Sequence, residues 1–269
     1  MSIKLIAIDI DGTLLNEENQ LTEDTIKAVQ EARDKGIKVV LCTGRPLTGV
    51  KPYLKKLGIS GNKEYAITFN GSQVQDSNGR VIEKYSLQHS DFKEIEKLSH
   101  ELNTNFQIET NEYIYATNRD LSPFSITESY LVNMPIRVRT PKEITDDFDI
   151  IKAMLIANPD IIDNAMENIP KDLTERLSMV RSEPVFIEFM NKNATKGKAL
   201  HKLVQDLNMT PENVMAIGNE GNDMSMIEYA GKGVAMGNSI QKVKDIADII
   251  TKSNKENGVA YAIRNYALK

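Results

Sequence analysis

The stretch Lys4-Leu-Ile-Ala-Ile-Asp9-Ile-Asp-Gly-Thr-Leu14 decides the fold of this 269-residue chain. Its first part, residues 4–8, is an almost continuous apolar run, which is typical of a strand buried on both faces of a parallel sheet. A helix is predicted next, with Thr22 as its N-cap and Gly36 as its stop, and residues 37–42 form a second apolar run. Strand, helix and strand in this order indicate a βαβ unit.

The alternation of apolar strands with helices continues to residue 85 and resumes near Thr195. A third strand from Tyr65 to Phe69 precedes a hairpin whose turn is Ser77-Asn78-Gly79. Towards the C-terminus the pattern predicts a helix over 196–207, strands over 214–217, 233–236 and 248–251, and helices over 223–229, 240–247 and from about 257. These residues predict an α/β domain with a Rossmann-like parallel sheet.

Between these segments the pattern of predicted strands and helices changes. An amphipathic helix carries Phe92, Ile95 and Leu98, and the strand candidates that follow mix with few helices. The predicted strands cover 112–117, 135–140, 150–156, 177–182 and 185–190, and a helix lies near 160–168. We therefore expect a core domain of residues 1–85 and 190–269, interrupted by an inserted α+β domain of residues 86–189.

The composition excludes several classes of protein. With 33 Lys+Arg against 38 Asp+Glu, the formal net charge is −5, and the chain has no basic block. A mildly acidic chain of this kind is a poor candidate for binding nucleic acid or an anionic membrane. No apolar stretch approaches the roughly 20 residues that span a bilayer. The single cysteine, Cys42, fits a reducing compartment, so we expect a cytoplasmic protein.

Polar residues follow the ends of three predicted strands. They are Asp9 with Asp11, Thr43 with Gly44, and the loop Gly218–Asp223. In open α/β sheets ligands bind at the carboxyl ends of the strands, so these residues are candidates for one site. Asp9 and Asp11, two apart on a strand, would face the same way, and two neighbouring carboxylates favour a divalent cation such as Mg²⁺. The alternative is a charged strand end with an Asp-Gly turn.

Two sets of residues suit an anion, namely Thr43 with Gly44, and Lys196. Thr43 and Gly44 offer a hydroxyl and an unobstructed backbone N–H ahead of a helix, although a capping threonine is an alternative. Lys196 stands at a helix N-terminus, where the helix dipole disfavours a cation, so an anion or carboxylate is expected to hold it there unless it is simply solvated. The loop Gly218–Asp223 could likewise serve only as a helix cap.

These residues resemble the four motifs of the haloacid dehalogenase (HAD) superfamily. The motifs are Asp9-Ile-Asp-Gly-Thr-Leu, Thr43-Gly-Arg, Lys196 in Thr-Lys-Gly-Lys-Ala-Leu, and Gly-x-x-x-Asn222-Asp223. The long insert resembles that of the Cof-type subgroup, which carries a large α/β cap domain, and the C-terminal segment is similar to sugar phosphatases of that subgroup. The resemblance implies that the inserted domain sets substrate specificity.

The resemblance also implies a role for each motif residue. Asp9 would be the nucleophile that forms an aspartyl-phosphate, and Asp11 the acid and then the base. The phosphate-binding set would be Ile10, Thr43, Gly44, Lys196 and Asn222. Mg²⁺ would lie between Asp9, the backbone carbonyl of Asp11 and Asn219, while Asp223 would orient Lys196 and the metal shell. We therefore expect a Mg²⁺-dependent phosphatase of small phosphorylated metabolites, with sugar phosphates as the expected class, as a monomer or homodimer.

The chain departs from the family pattern at Asn219, where the family usually has Asp. An amide oxygen can ligate Mg²⁺ but brings no charge, which would cost about 1–3 kcal/mol of binding free energy. This leaves open a phosphometabolite-binding protein of low activity. A third class is a receiver-like module whose aspartate is phosphorylated by a partner, but such modules have no use for a domain inserted over the aspartate.

Overall fold

The computed structural model describes residues 2–269. Strands and helices are labelled in chain order. The strands are β1 (Leu5–Ile8), β2 (Lys38–Cys42), β3 (Tyr65–Thr68), β4 (Gln73–Asp76), β5 (Val81–Lys84), β6 (Asn105–Glu109), β7 (Ile114–Ala116), β8 (Ile136–Val138), β9 (Lys152–Ile156), β10 (Leu177–Glu183), β11 (Phe186–Asn191), β12 (Val214–Gly218), β13 (Lys232–Ala235) and β14 (Ile249–Ile250). The α-helices are α1 (Glu23–Asp34), α2 (Leu47–Lys56), α3 (His89–Glu101), α4 (Pro123–Val132), α5 (Pro159–Asn168), α6 (Lys171–Arg176), α7 (Lys196–Asp206), α8 (Met224–Tyr229), α9 (Gln241–Ile246) and α10 (Gly258–Ala262).

These elements form two compact units. The first contains the chain up to Lys84 together with Thr195–Lys269, and the second contains Tyr85–Ala194. Among the described residues, no helix is both long enough and apolar enough to cross a membrane.

The first unit is built on an eight-stranded sheet in the order β14-β13-β12-β1-β2-β3-β4-β5. Strands β14 to β3 run parallel, and β4 and β5 add an antiparallel hairpin at one edge. The hairpin turns at the predicted Ser77-Asn78-Gly79, where Gly79 has φ +101°. The predicted parallel-sheet core is confirmed.

Both faces of this sheet are covered, which explains the continuous apolar run in β1. Ile6 and Ile8 belong to a core shared with α1, α2 and α10, whereas Leu5 and Ala7 belong to a core shared with α7. Alternate residues of one strand therefore enter opposite cores, as expected for a central strand of a parallel sheet. Helix α1 begins after the predicted N-cap Thr22, whose hydroxyl accepts a hydrogen bond from the Thr25 N–H.

The second unit contains a six-stranded sheet in the order β10-β11-β9-β6-β7-β8. Its strand pairs are antiparallel except β7 with β8. Helices α3 and α5 contribute Phe92, Ile95 and Ile162 to the core against one face of this sheet. The predicted fold class, a Rossmann-like core interrupted by an α+β insert, is confirmed.

Besides the six-residue helix α6, the sequence interpretation missed two elements of the second unit, β6 and α4. Strand β6 reads Asn-Phe-Gln-Ile-Glu, and its polar Gln107 and Glu109 are as fully buried as its apolar residues. Helix α4 carries exposed Ile126, Tyr130 and Leu131, so its apolar residues do not mark one buried face. In both elements polarity and burial disagree, and hydrophobic periodicity then fails as a signal.

Candidate active site

A buried ion triad lies at the carboxyl end of the first unit's sheet. Asp9 follows β1, Lys196 opens α7, and Asp223 directly precedes α8. The Lys196 Nζ donates to Asp9 Oδ1 at 2.7 Å and to Asp223 Oδ1 at 2.6 Å. Because β1 and β12 are parallel neighbours, their ends bring Asp9 and the loop after β12 together. Lys196 is therefore held by two carboxylates rather than solvated.

Close packing of α7 against α8 aims Lys196 into this site. A Cβ at Gly197 would lie only 2.2 Å from the backbone oxygen of Ser225, so glycine alone permits this approach. The Gly197 N–H also donates to Ser225 Oγ at 3.0 Å. Thr195 caps the helix by accepting from the Lys198 N–H at 3.1 Å. The first turn of α7 is thus fixed, and Lys196 is 1% exposed.

The charges of the triad act strongly on one another. Burial and the neighbouring Asp223 raise the pKa of Asp9 to about 7, although Lys196 opposes the shift. Burial alone would lower the pKa of Lys196, but Asp223 and Asp9 outweigh burial and raise it. Lys196 is therefore charged at neutral pH. A cation beside Asp9 would favour the ionised form of its carboxylate.

Asp11 lies in a turn after the strand, not on it, and the predicted strand geometry of Asp9 and Asp11 is wrong. Strand β1 ends at Ile8, and Gly12 then reverses the chain with φ +74°. The Asp11 carboxylate is half-exposed and accepts two hydrogen bonds from Arg45, at 2.9 Å from Nε and 2.6 Å from Nη2. Ile10 buries its side chain in the core, so only its backbone is available to a phosphate.

Thr43, Gly44 and Asn222 gather around Asn70, a residue that the sequence interpretation did not select. The Asn70 N–H donates to the Thr43 carbonyl at 2.9 Å, and the Asn222 amide donates to Asn70 Oδ1 at 2.9 Å. A Cβ at Gly44 would lie 3.2 Å from the Asn70 amide, so glycine gives this contact room. Asn70 has φ +55°, and the Asn-Gly pair shortly after β3 was the signal available in the sequence.

Asp223 ties the loop after β12 together and also belongs to the triad. Asp223 Oδ2 accepts hydrogen bonds from the backbone N–H groups of Asn219 at 2.8 Å and Glu220 at 3.0 Å. The other oxygen of the same carboxylate accepts from Lys196. Asp223 makes no side-chain capping hydrogen bond to α8, so the alternative of a cap for this helix is wrong, and its carboxylate instead closes the loop and positions Lys196.

Oxygen atoms beside Asp9 fit a magnesium ion. The inward atom of the Asn219 side-chain amide lies 3.2 Å from Asp9 Oδ2 and 3.0 Å from the Asp11 carbonyl oxygen. Adjacent ligands of an octahedral Mg²⁺, with bonds of about 2.0–2.1 Å, are about 2.9 Å apart. Residues 2–269 contain no cluster of three or more His, Cys, Asp or Glu side chains suited to a metal. A cation here would therefore depend on a main-chain oxygen and an amide oxygen as well as on Asp9.

Comparisons with known proteins identify the family. A family model described as haloacid dehalogenase-like hydrolase matches residues 6–263. A candidate phosphatase of Streptococcus pyogenes serotype M6 is 43% identical over 269 residues, which cover 100% of both chains. The 5-amino-6-(5-phospho-D-ribitylamino)uracil phosphatase YcsE of Bacillus subtilis is 38% identical over 268 residues, covering 100% of this chain and 97% of YcsE.

A solved structure gives the same answer. The crystal structure of a haloacid dehalogenase-like hydrolase from Bacteroides thetaiotaomicron superposes with a TM-score of 0.88 at 29% identity, covering 98% of this chain and 99% of that one. The chain belongs to the haloacid dehalogenase-like hydrolases, and within that family it is a phosphatase. The predicted family is confirmed, and the alternative of a binding protein with little turnover is not favoured.

Proposed function

We propose that this chain is a Mg²⁺-dependent phosphatase of small phosphorylated metabolites whose phosphate is carried on a hydroxyl-rich carbon chain, such as a sugar phosphate. One observation carries the proposal. The carboxylate of Asp9 is buried beside a charged lysine, and Asp11, two residues further on, is held by Arg45. This arrangement supplies a nucleophile in Asp9, a countercharge for the phosphate in Lys196 and, two residues after the nucleophile, a separate group for proton transfer.

In the first half of the reaction, the substrate phosphate binds against Thr43, Gly44, Lys196, Asn222 and the backbone at Ile10. An Asp9 carboxylate oxygen attacks phosphorus, and the bond from phosphorus to the ester oxygen breaks. Asp11, in its protonated form, donates this proton to the leaving oxygen, which departs as an alcohol. The phosphoryl group is then held on Asp9 as a mixed anhydride.

In the second half, Asp11 accepts a proton from a water molecule as that water attacks phosphorus. The bond between phosphorus and the Asp9 oxygen breaks, inorganic phosphate leaves, and both aspartates return to their starting states. Lys196 remains charged throughout because Asp223 stays paired with it, at 2.6 Å. Its positive charge offsets the negative charge of the phosphoryl oxygens. Such neutralisation is the main requirement of phosphoryl transfer.

Asp9 Oδ2, the Asp11 carbonyl and the Asn219 amide oxygen are the groups that would hold Mg²⁺. When bound, the ion supplies positive charge that neutralises the phosphate and orients it towards Asp9. Asp223 supports this arrangement indirectly, since it fixes the backbone N–H groups of Asn219 and Glu220.

The substrate class is supported by a relative. The name of YcsE gives a substrate with phosphate on a ribityl chain, and YcsE is 38% identical over almost its whole length. A ribityl chain is a sugar alcohol, which agrees with the sugar phosphates expected from the sequence. We assign the choice among such substrates to the inserted domain.

Release of inorganic phosphate from a panel of substrates tests this function. The panel contains sugar phosphates, sugar-alcohol phosphates, nucleotides and phosphoserine, each assayed with Mg²⁺ and with EDTA. We expect Mg²⁺-dependent release that is fastest for the sugar and sugar-alcohol phosphates. Equal rates in EDTA would contradict the metal requirement, and a preference for nucleotides or phosphoserine would contradict the substrate class.

A further inference from the structure

The side-chain amide of Asn219 is buried and tightly confined. Asn219 is 5% exposed, and a Cβ at Gly12 would meet its amide at 2.6 Å. The inward atom of the amide faces Asp9 Oδ2 at 3.2 Å, the Asp11 carbonyl oxygen at 3.0 Å and Thr13 Oγ1 at 2.8 Å. Two of these three atoms can only accept hydrogen bonds, and the third is a hydroxyl.

The oxygen and the nitrogen of an amide demand different surroundings at this position. If the nitrogen points inward, its two hydrogens have three atoms within hydrogen-bond distance that can accept them: Asp9 Oδ2, the Asp11 carbonyl oxygen and Thr13 Oγ1. If the oxygen points inward, only Thr13 can donate to it, and it otherwise faces two oxygens at short range. When Asp9 is ionised, oxygens that converge in this way repel one another unless a cation lies between them.

We propose that Asn219 is a two-position gate on the cation site, an inference that rests on the proposed Mg²⁺ dependence. With nitrogen inward, the amide bridges Asp9 to the Asp11 backbone by hydrogen bonds. With oxygen inward, after a half-turn of the amide, it is a neutral ligand to the cation. The two positions exclude each other because an amide –NH₂ has no lone pair for a cation. Cation binding is therefore coupled to the turn of one side chain.

A carboxylate at this position would behave differently in two measurable ways. It has no donor, so without a cation it would repel Asp9 and the Asp11 carbonyl instead of bridging them. With a cation it would add a full negative charge to the ligand set. The gate therefore predicts that Asn219→Asp is less stable than wild type without Mg²⁺ and binds Mg²⁺ more tightly.

The first test compares wild type, Asn219→Asp and Asn62→Asp. Asn62 is exposed in a loop of the first unit, and its replacement by Asp changes the net charge by the same amount. In EDTA we expect the melting temperature of Asn219→Asp to fall by about 2–6 °C, with that of Asn62→Asp unchanged. By calorimetric titration, Mg²⁺ should bind Asn219→Asp about 5- to 150-fold more tightly than wild type. Unchanged stability in EDTA would overturn the bridging role of the amide, and equal affinities would overturn its role as a ligand.

The second test observes the amide directly. The side-chain –NH₂ resonances of Asn219 are assigned in ¹⁵N-labelled wild type as the pair missing from Asn219→Asp. In EDTA their protons should exchange slowly with solvent. On addition of Mg²⁺ their chemical shifts should change, and the titration should give the same dissociation constant as calorimetry. If these resonances do not change while Mg²⁺ binds, the gate is overturned and the proposed phosphatase function is unaffected. Hydrolysis in EDTA with no Mg²⁺ binding to any variant would instead overturn the metal dependence itself.

Discussion

Arg45 connects two parts of the candidate active site. It follows Thr43 and Gly44 in the sequence, and its guanidinium holds the Asp11 carboxylate by two hydrogen bonds. The same guanidinium lies over the Tyr53 ring, 5.6 Å from its centre. A planar fork of this kind fixes both the distance and the orientation of a carboxylate, which a lysine ammonium does not. Arg45 is therefore a positioning residue for the proposed acid and base.

Replacing Arg45 with lysine should lower kcat about 10- to 100-fold with little change in KM, because Asp11 keeps a counterion but loses its fixed orientation. Steady-state phosphate release measures both constants. The matched control is Arg264→Lys, since Arg264 makes an equivalent two-bond pair with Glu31, at 2.9 and 3.0 Å. A kcat that is unchanged, or that falls equally in the control, would show that Arg45 does not position Asp11.

Sequence reasoning found the site residues more readily than their orientations. It selected Asp9 and Lys196 because each is a charge in a costly position, and Asp223 because it belongs to a polar loop at a strand end; the structure brings these three together. It missed Arg45 as the partner of Asp11 because it extended β1 past Ile8. It also missed Asn70, since the short run of positive-φ residues from Phe69 to Gly71 at a strand end has no periodic signal.

The central strands of the second unit bury a cluster of charges. Lys152 Nζ on β9 lies 3.1 Å from Glu188 on β11, 3.3 Å from Glu109 on β6 and 3.8 Å from Glu128 on α4. Burial alone would lower the pKa of Lys152, but the three carboxylates outweigh burial and raise it. Burial raises the pKa of Glu109 to about 8 against the attraction of Lys152. This cluster also explains why β6 was missed, because its buried residues read as surface residues.

The raised pKa of Glu109 predicts how stability depends on pH. Above about pH 4.5 the unfolded chain releases this proton, whereas the folded chain keeps it up to about pH 8. Because the folded state binds more protons in this range, its stability falls as pH rises from about 5 to 8. Glu109→Gln removes this titrating group. The free energy of unfolding of the variant, relative to that of wild type, should therefore increase from pH 5 to pH 8.

Urea unfolding at pH 5, 6.5 and 8 measures this difference. The matched control is Glu112→Gln, which changes an exposed glutamate between β6 and β7. Its midpoint should track that of wild type at every pH. If the difference between Glu109→Gln and wild type were the same at all three pH values, Glu109 would not be the buried acid described here.

The fold class of the whole chain was predictable because its two parts differ in the order of their predicted strands and helices. The first unit alternates apolar strands with helices, and the return of that pattern near Thr195 indicated one domain interrupted by another. The order of the strands within each sheet was not predictable, since pairing between distant segments leaves no local pattern. The sequence places β1 next to β2 through one helix, but β12 beside β1 joins residues more than 200 positions apart.

The assignment of specificity to the inserted domain predicts the behaviour of a chimera. Replacing residues 85–194 with the corresponding segment of YcsE should transfer the substrate ranking of YcsE, because the residues proposed to bind phosphate all lie in the first unit. The reciprocal chimera is the control. Rates for the substrate panel give the ranking, and a ranking that stays with the first unit would contradict the assignment.

The most direct test of the whole account is phosphate release by Asp9→Asn. An amide at this position cannot form the aspartyl-phosphate, so the rate with Mg²⁺ and the best substrate should fall at least about 1000-fold. The change is nearly isosteric, and Asp34→Asn, at an exposed position at the end of α1, controls for the change in charge. We expect near-complete loss in Asp9→Asn, a wild-type rate in the control, and folded protein in both by circular dichroism. Retention of more than a few per cent of the wild-type rate by folded Asp9→Asn would contradict the account, because the nucleophile would then lie elsewhere.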